Sequence, residues 1–324
     1  MGEEQKRAFF SLGSECISLP SLKVLFFWGG VGGGVSYNLP LMGQNIFPRS
    51  LLKRYIALPQ DHGSWVFLLS PLLIGLFAGG NGRAGTAPLI FAALAAFLLR
   101  QPVTVAAKIF SGRRSQEELP VALFWAILYS VAGFVMLAWL IGLGWGYLLI
   151  LALPGLPVFA WHLVLVSRRA ERRKIGVEVV GSGVLALAAP AAFWVGRGEP
   201  DPLGWGLFGL TWFQSAASIV YAYLRLQQRE LKSLPSLAER LQMAARALAY
   251  TTFNLVAVAG LSIAGVLPAL LPLAYFLQWA ESLWGGLKPA IGWKPARIGI
   301  RQLLVSTLFT IIFILAWYYG VEGA

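Results

Sequence analysis

The chain has 324 residues, 57% of them hydrophobic and only 12% charged, with a mean hydropathy of +0.68. A soluble domain carries about 25% charged residues, so lipid is the solvent for much of this surface. The lone cysteine, Cys16, excludes an intramolecular disulfide and a cysteine metal cluster, and the net charge of +12 reads as loops facing anionic lipid rather than as a nucleic-acid footprint.

Residues 1–53 form an N-terminal extension in this reading. The run 25–37 is apolar but short, and Gly29, Gly30, Gly32, Gly33 and Gly34 interrupt it. It lacks the small-residue cleavage pattern of a signal peptide, and no Lys-Ser/Thr follows the glycines as a phosphate-binding loop requires. Two readings stay open: a loosely ordered extension, or a start codon called too early, with Met42 as the alternative start.

From residue 54 onward the chain reads as one all-α, polytopic membrane bundle. A spanning helix needs about 20 mostly apolar residues. Nine stretches come close: 64–78, 86–99, 119–140, 145–166, 175–195, 203–224, 244–261, 264–283 and 302–319. The first two are short and extend into their flanks, and a tight turn around Gly265 and Pro268 separates the seventh from the eighth. Charge tests the parse independently. Twenty-one Lys and Arg residues, from Arg49 through Arg301, fall in alternate connecting segments, whereas the opposite set holds only Arg83 and Arg197. The positive-inside rule then places the N-terminal flank in the cytoplasm and the C-terminus outside, as in a bacterial inner membrane.

Candidate chemistry follows the chain. Gln60-Asp61-His62-Gly63-Ser64-Trp65 enters the first helix. Asp61 suits a helix cap, and His62, with an unperturbed pKa of about 6.5, suits a base, ligand or anion partner. Phe97 to Pro102, with Arg100 and Gln101, closes the second helix, and Tyr223 to Gln228, with Arg225, closes the sixth at the same face. Arginine binds phosphate bidentately, so Arg100 and Arg225 are candidates to clamp an anionic headgroup in one cytoplasmic cavity. Ionisable residues inside a membrane are functional candidates by default, and His162, Glu178 and Glu281 are those here. Gln214, Asn254 and Gln278 suit hydrogen bonding between helices.

The run Leu58-Pro59-Gln60-Asp61-His62-Gly63-Ser64-Trp65, with Ser70-Pro71-Leu72-Leu73-Ile74-Gly75 and the segment Phe97 to Pro102, resembles the YwiC-like family of bacterial membrane proteins. The resemblance covers roughly residue 55 to the C-terminus and implies no particular biochemical role. More distantly, nine helices with motifs closing the second and sixth, and the segment Trp212 to Arg225 with its Tyr221-Ala222 pair, are similar to the UbiA prenyltransferase superfamily. That likeness implies a UbiA-like helix arrangement and an isoprenoid, quinone or other lipid partner, with Gln214 and Tyr221 near the ligand. UbiA enzymes hold magnesium and a prenyl diphosphate on aspartate-rich motifs, but the only aspartates here are Asp61 and Asp201. The resemblance therefore implies a lipid-binding framework without metal-dependent prenyl transfer, with no metal site and no cofactor, and Arg100 and Arg225 standing where those motifs stand. The alternatives are an enzyme of altered mechanism using His62 on a lipid or quinone, and a transporter using Glu178, His162 and Glu281.

Overall fold

The computed structural model describes residues 53–59, 62–80, 82–168 and 175–322. The expectations for residues 1–52, and for Asp61, lie outside the described residues. The elements are α1 (Arg54–Ala57), α2 (His62–Gly79), α3 (Thr86–Phe110), α4 (Leu119–Gly142), α5 (Ala152–Ser167), α6 (Ile175–Ala186), α7 (Ala188–Arg197), α8 (Pro202–Gln228), α9 (Leu237–Ile263), α10 (Pro272–Leu287) and α11 (Pro295–Glu322). All nine apolar stretches are helical, and no strand occurs among the described residues. Six helical stretches are long and apolar enough to cross a membrane by length and composition, and Gly63–Gly79 is a shorter apolar helix. Neither α8 nor α10 is among those six. Both carry inward-facing polar side chains that lower their hydropathy, and α10, at 16 residues, is also short.

Several boundaries differ from the sequence expectation. The second apolar stretch does not close at Arg100–Pro102; α3 runs through Pro102 to Phe110. A proline lacks the N–H for one helical bond, but Val105, Ala106 and Ile109 beyond it pack on Ile56, Val121 and Ala122 and hold the helix in register. The fifth stretch is broken at Leu187, between α6 and α7. Pro190 cannot donate to the carbonyl four residues back, so the ladder is interrupted there. The eighth begins at Pro272 rather than at residue 264, because Gly265 adopts φ 73° in the turn and Pro272 suits a first helical turn. The seventh starts earlier, at Leu237, where Ser236 and Glu239 form a reciprocal capping box.

At the centre, α2 packs on α7 with almost no side chain between them. A Cβ on Gly75 would fall 2.2 Å from the Ala189 carbonyl oxygen, and one on Gly79 would fall 2.5 Å from that of Phe193. Gly75 and Gly79 are four apart, hence on one face, and small residues let membrane helices approach until their backbones touch. The α7 terminus is fixed by Arg83, which donates to the carbonyls of Gly196 (2.8 Å) and Arg197 (3.1 Å). Around this core, α4 and α5 turn Phe124, Ile127, Phe134, Leu153 and Leu156 outward. An exposed apolar surface of that extent belongs in a bilayer.

Candidate functional site

The polar residues of the interior converge where α8, α10 and α11 meet. On α8 they are Gln214, Ser218, Tyr221, Arg225 and Gln228, spaced by four, three, four and three residues and so on one helix face. From α10 come Gln278, Glu281 and Ser282, and from α11 Arg301, Gln302 and Ser306. Gln278 donates through Nε2 to the Gln214 carbonyl (3.0 Å) and to Ser218 Oγ (2.8 Å). Its Oε1 is buried and has no protein partner. Beside it, a cavity of about 10 Å³ among Ser218, Tyr221, Gln278, Glu281, Gln302 and Ser306 has room for a single water.

Glu281, 9% exposed, is held from two sides. Arg301 grips it bidentately, Nε to Oε1 at 2.6 Å and Nη2 to Oε2 at 2.7 Å, and the Tyr221 hydroxyl donates to Oε1 at 2.8 Å. Such a paired carboxylate tolerates a low-dielectric site because both oxygens are satisfied.

Next to this pair stands a ladder of guanidiniums and indoles. Arg301 lies 3.7 Å over the Trp284 ring, Arg225 lies 5.3 Å from Trp284 and 5.0 Å from Trp293, and Arg297 lies 4.1 Å over Trp293. Arg225 is 1% exposed. Its Nη1 donates to Gln228 Oε1 and to the carbonyls of Gly285 and Lys288, at 2.8–2.9 Å. Gly285 is required at this spot, since a Cβ there would lie 2.3 Å from the Tyr221 hydroxyl oxygen.

The residues singled out in the sequence distribute as follows. Gln214, Tyr221, Arg225 and Glu281 share the α8–α10–α11 junction. Glu178 lies on α6 and accepts a hydrogen bond from the Tyr223 hydroxyl at 2.6 Å. Arg100 and Gln101 lie within α3, with Gln101 donating to the Tyr55 carbonyl at 2.9 Å. The arrangement places the two expected clamp residues, Arg100 and Arg225, on different helices, α3 and α8. Arg100 sits in the middle of a helix that packs on α4, α5 and α7 rather than on α8, and Arg225 is wrapped by its own protein. The backbone of His62 opens α2. His162 is half-buried on α5. Tyr55, on α1, donates to Glu118 at 2.6 Å, and that bond holds its phenol above its usual pKa. Among the described residues, no three His, Cys, Asp or Glu side chains gather to hold a metal.

Sequence reasoning missed Ser218, Gln302, Trp284 and Trp293, and counted Arg301 only among the cations of a connecting segment. The four-three-four spacing on α8 was the available signal. It marks a polar stripe, and a polar stripe on an otherwise apolar helix points inward.

A second concavity lies between α2 and α11. It is a lateral groove of about 430 Å³ lined by Val66, Leu69, Leu73 and Phe77 on one side and by Leu303, Ile311 and Leu315 on the other. Ser70 and Thr310 join its walls through their hydroxyls at 2.6 Å.

Residues 58–193 match the sequence model of the family described as YwiC-like protein. Over that stretch the chain is similar to the YwiC-like family. The uncharacterized protein YwiC of Bacillus subtilis (strain 168) is 28% identical over 156 residues, which are 47% of this chain and 59% of that relative. The chain thus spans about three-fifths of the length of this relative. No solved structure matches the chain. The family match includes α2 and α7 as far as Phe193 and ends before α8, so the arginine–tryptophan ladder lies beyond it.

Proposed function

We propose that this membrane protein seats the hydrocarbon tail of a lipid, a phospholipid or an isoprenoid, in the groove between α2 and α11. The basic end of the helices faces the cytoplasm in this reading, as the positive-inside rule requires, and the lipid comes from that leaflet of a bacterial inner membrane. The observation that carries the reading is a groove that is concave and laterally open, yet has spent its own polar atoms. Thr310 donates its single hydroxyl proton to the Ser306 carbonyl (2.9 Å), which leaves Ser70 as donor in the Ser70–Thr310 bond. Thr307 donates likewise to the Leu303 carbonyl (2.8 Å). What remains to greet an occupant is methyl and aromatic surface, which suits a hydrocarbon chain.

The dimensions support the same occupant. From Val66 to Phe77 the wall runs about 16 Å along α2, at 1.5 Å per residue, close to half of a ~30 Å hydrocarbon core. A volume of 430 Å³ also falls within the roughly 300–1,000 Å³ of small-ligand sites.

The test is native mass spectrometry of the full chain in mild detergent, with dioleoyl phosphatidylglycerol as probe. Leu73→Trp and Ile311→Trp fill the groove from opposite walls at positions already exposed, and helicity and thermal midpoint check that each variant folds. Retained lipid is expected to fall at least about tenfold in both, the worth of two or so buried methylenes. Retention at the wild-type level in both variants overturns the reading.

A further inference from the structure

We infer that the α10–α11 loop and the ladder beneath it form a binding site for a phosphate-class anion, centred on Arg297 and Arg301 with Arg225 behind them. The inference deepens the lipid reading by naming the headgroup chemistry, but its evidence is separate from the groove.

The first line is charge. Residues 288–301 hold four cations, Lys288, Lys294, Arg297 and Arg301, and no acid. Arg225 adds a fifth from beneath, and Glu281, which grips Arg301, is the one carboxylate bonded to the ladder among the described residues. A surplus of cations at the edge of a low-dielectric region is costly unless an anion offsets it.

The second line is an unfilled donor. Arg225 is almost wholly buried, and while Nη1 meets three acceptors, Nη2 has none. A buried guanidinium nitrogen without an acceptor costs free energy, and buried polar groups are normally satisfied. The open donor therefore leaves Arg225's charge only partly offset from within, directly behind the face that Arg297 and Arg301 present.

The third line is preorganisation. The guanidinium carbons of Arg297 and Arg301 lie 4.1 Å and 3.7 Å over the rings of Trp293 and Trp284, whose centroids are 6.3 Å apart. Stacking fixes the plane of a guanidinium while leaving its edge to bind oxygen. The Nε–Nη2 edge of Arg301 is given to Glu281, so the exposed Arg297 is the fork that meets phosphate and Arg301 adds charge beside it. The loop is itself tied down: Ala290 N–H donates to Gln228 Oε1 and Gly292 N–H to the Arg229 carbonyl, both at 3.3 Å. Tryptophan and arginine together also mark headgroup level in a membrane. On α11, Arg297 lies about 9 Å along the axis from Leu303, where the groove begins, which is comparable to the ~7 Å headgroup zone on each side of a bilayer. Inorganic phosphate and a lipid phosphate present the same oxygens to this site.

The experiment uses the full chain in mild detergent and reads its thermal midpoint against inorganic phosphate, dioleoyl phosphatidic acid and dioleoyl phosphatidylcholine. A rise with inorganic phosphate as well as with phosphatidic acid supports a site open to the free anion. A rise with phosphatidic acid alone supports a site reserved for a headgroup. Arg297 and Lys294 are exposed, so Arg297→Gln and Lys294→Gln leave the fold intact. The concentration needed for half the rise is expected to increase about tenfold in Arg297→Gln, the loss of one charge-assisted contact, and less in Lys294→Gln. No response to either phosphate compound, an equal response to phosphatidylcholine, or an unchanged response in both variants overturns the site. The groove variants separate the two readings. If Leu73→Trp keeps the inorganic phosphate response but loses lipid, both stand; if it keeps lipid while Arg297→Gln loses phosphate, the anion site stands and the groove reading falls.

Discussion

Two helix junctions in this molecule solve one problem in opposite ways. In lipid there is little hydrophobic gain from pressing two apolar helices together, so association rests on close packing or on hydrogen bonds. The α2–α7 junction takes the first route: Gly75 and Gly79 bring backbones into contact with Ala189 and Phe193, and the joint is dry. The α8–α10–α11 junction takes the second, with Glu281, Arg301, Tyr221 and Gln278 linking three helices through side chains. A backbone joint has one geometry and no moving part. A side-chain joint leaves unfilled atoms, Gln278 Oε1 and Arg225 Nη2, and so can exchange partners. The first suits a scaffold and the second a site.

The dry joint should break hardest. At Gly75 an added Cβ meets the Ala189 carbonyl, which cannot swing away. Gly75→Leu is expected to give no monodisperse protein on size exclusion, and Gly75→Ala to lose about 3 kcal/mol, the upper range for overpacking, in thermal unfolding followed by circular dichroism. A mild effect would mean that α2 and α7 slide freely, against the distinction drawn here. The wet joint should yield by degrees. Glu281→Ala strips the carboxylate from Arg301, which is 37% exposed at its side chain, so water recovers part of the loss. The expected cost is about 2 kcal/mol, below the 3–5 of a fully buried broken pair. The double variant Glu281→Ala/Arg301→Leu should regain most of it, because an apolar pair leaves no orphan charge. Arg225→Lys comes next. An ammonium keeps the charge but cannot reproduce the planar fork that meets Gln228, Gly285 and Lys288 between two indoles, so about 1–2 kcal/mol should be lost in the same melt.

How far this was legible beforehand depends on what kind of quantity each feature is. Every apolar stretch contains helix because length and hydropathy are local properties, and the alternation of Lys and Arg is a property of the connecting segments alone. Pro102 misled because a proline disfavours helix at the residue before it, whereas the packing of Val105 and Ile109 on Ile56 is tertiary. Arg301 counted only as a cation of a connecting segment because sequence records its charge but not its partner, and Glu281 lies twenty residues upstream across a turn. The stripe from Gln214 to Arg225 was visible as a period, and so was the pairing of Gln278 with Glu281 and Gly285. Which helix faces the other was not, since register between helices is set by shapes such as the space Gly285 leaves for Tyr221.

The smallest expected effect sharpens the comparison most. Tyr221→Phe removes one hydroxyl, and with it one of the three hydrogen bonds to Glu281, but keeps the ring that lies beside Arg225 and over Gly285. A single side-chain hydrogen bond between membrane helices is worth about 0.6 kcal/mol. If the junction is a set of separable bonds, the variant should melt within about 1 kcal/mol of wild type. A loss several times larger would mean that Tyr221, Glu281 and Arg301 act as one cooperative unit. The double variant Tyr221→Phe/Arg301→Leu decides between these outcomes, because separable bonds give additive losses and a single unit does not.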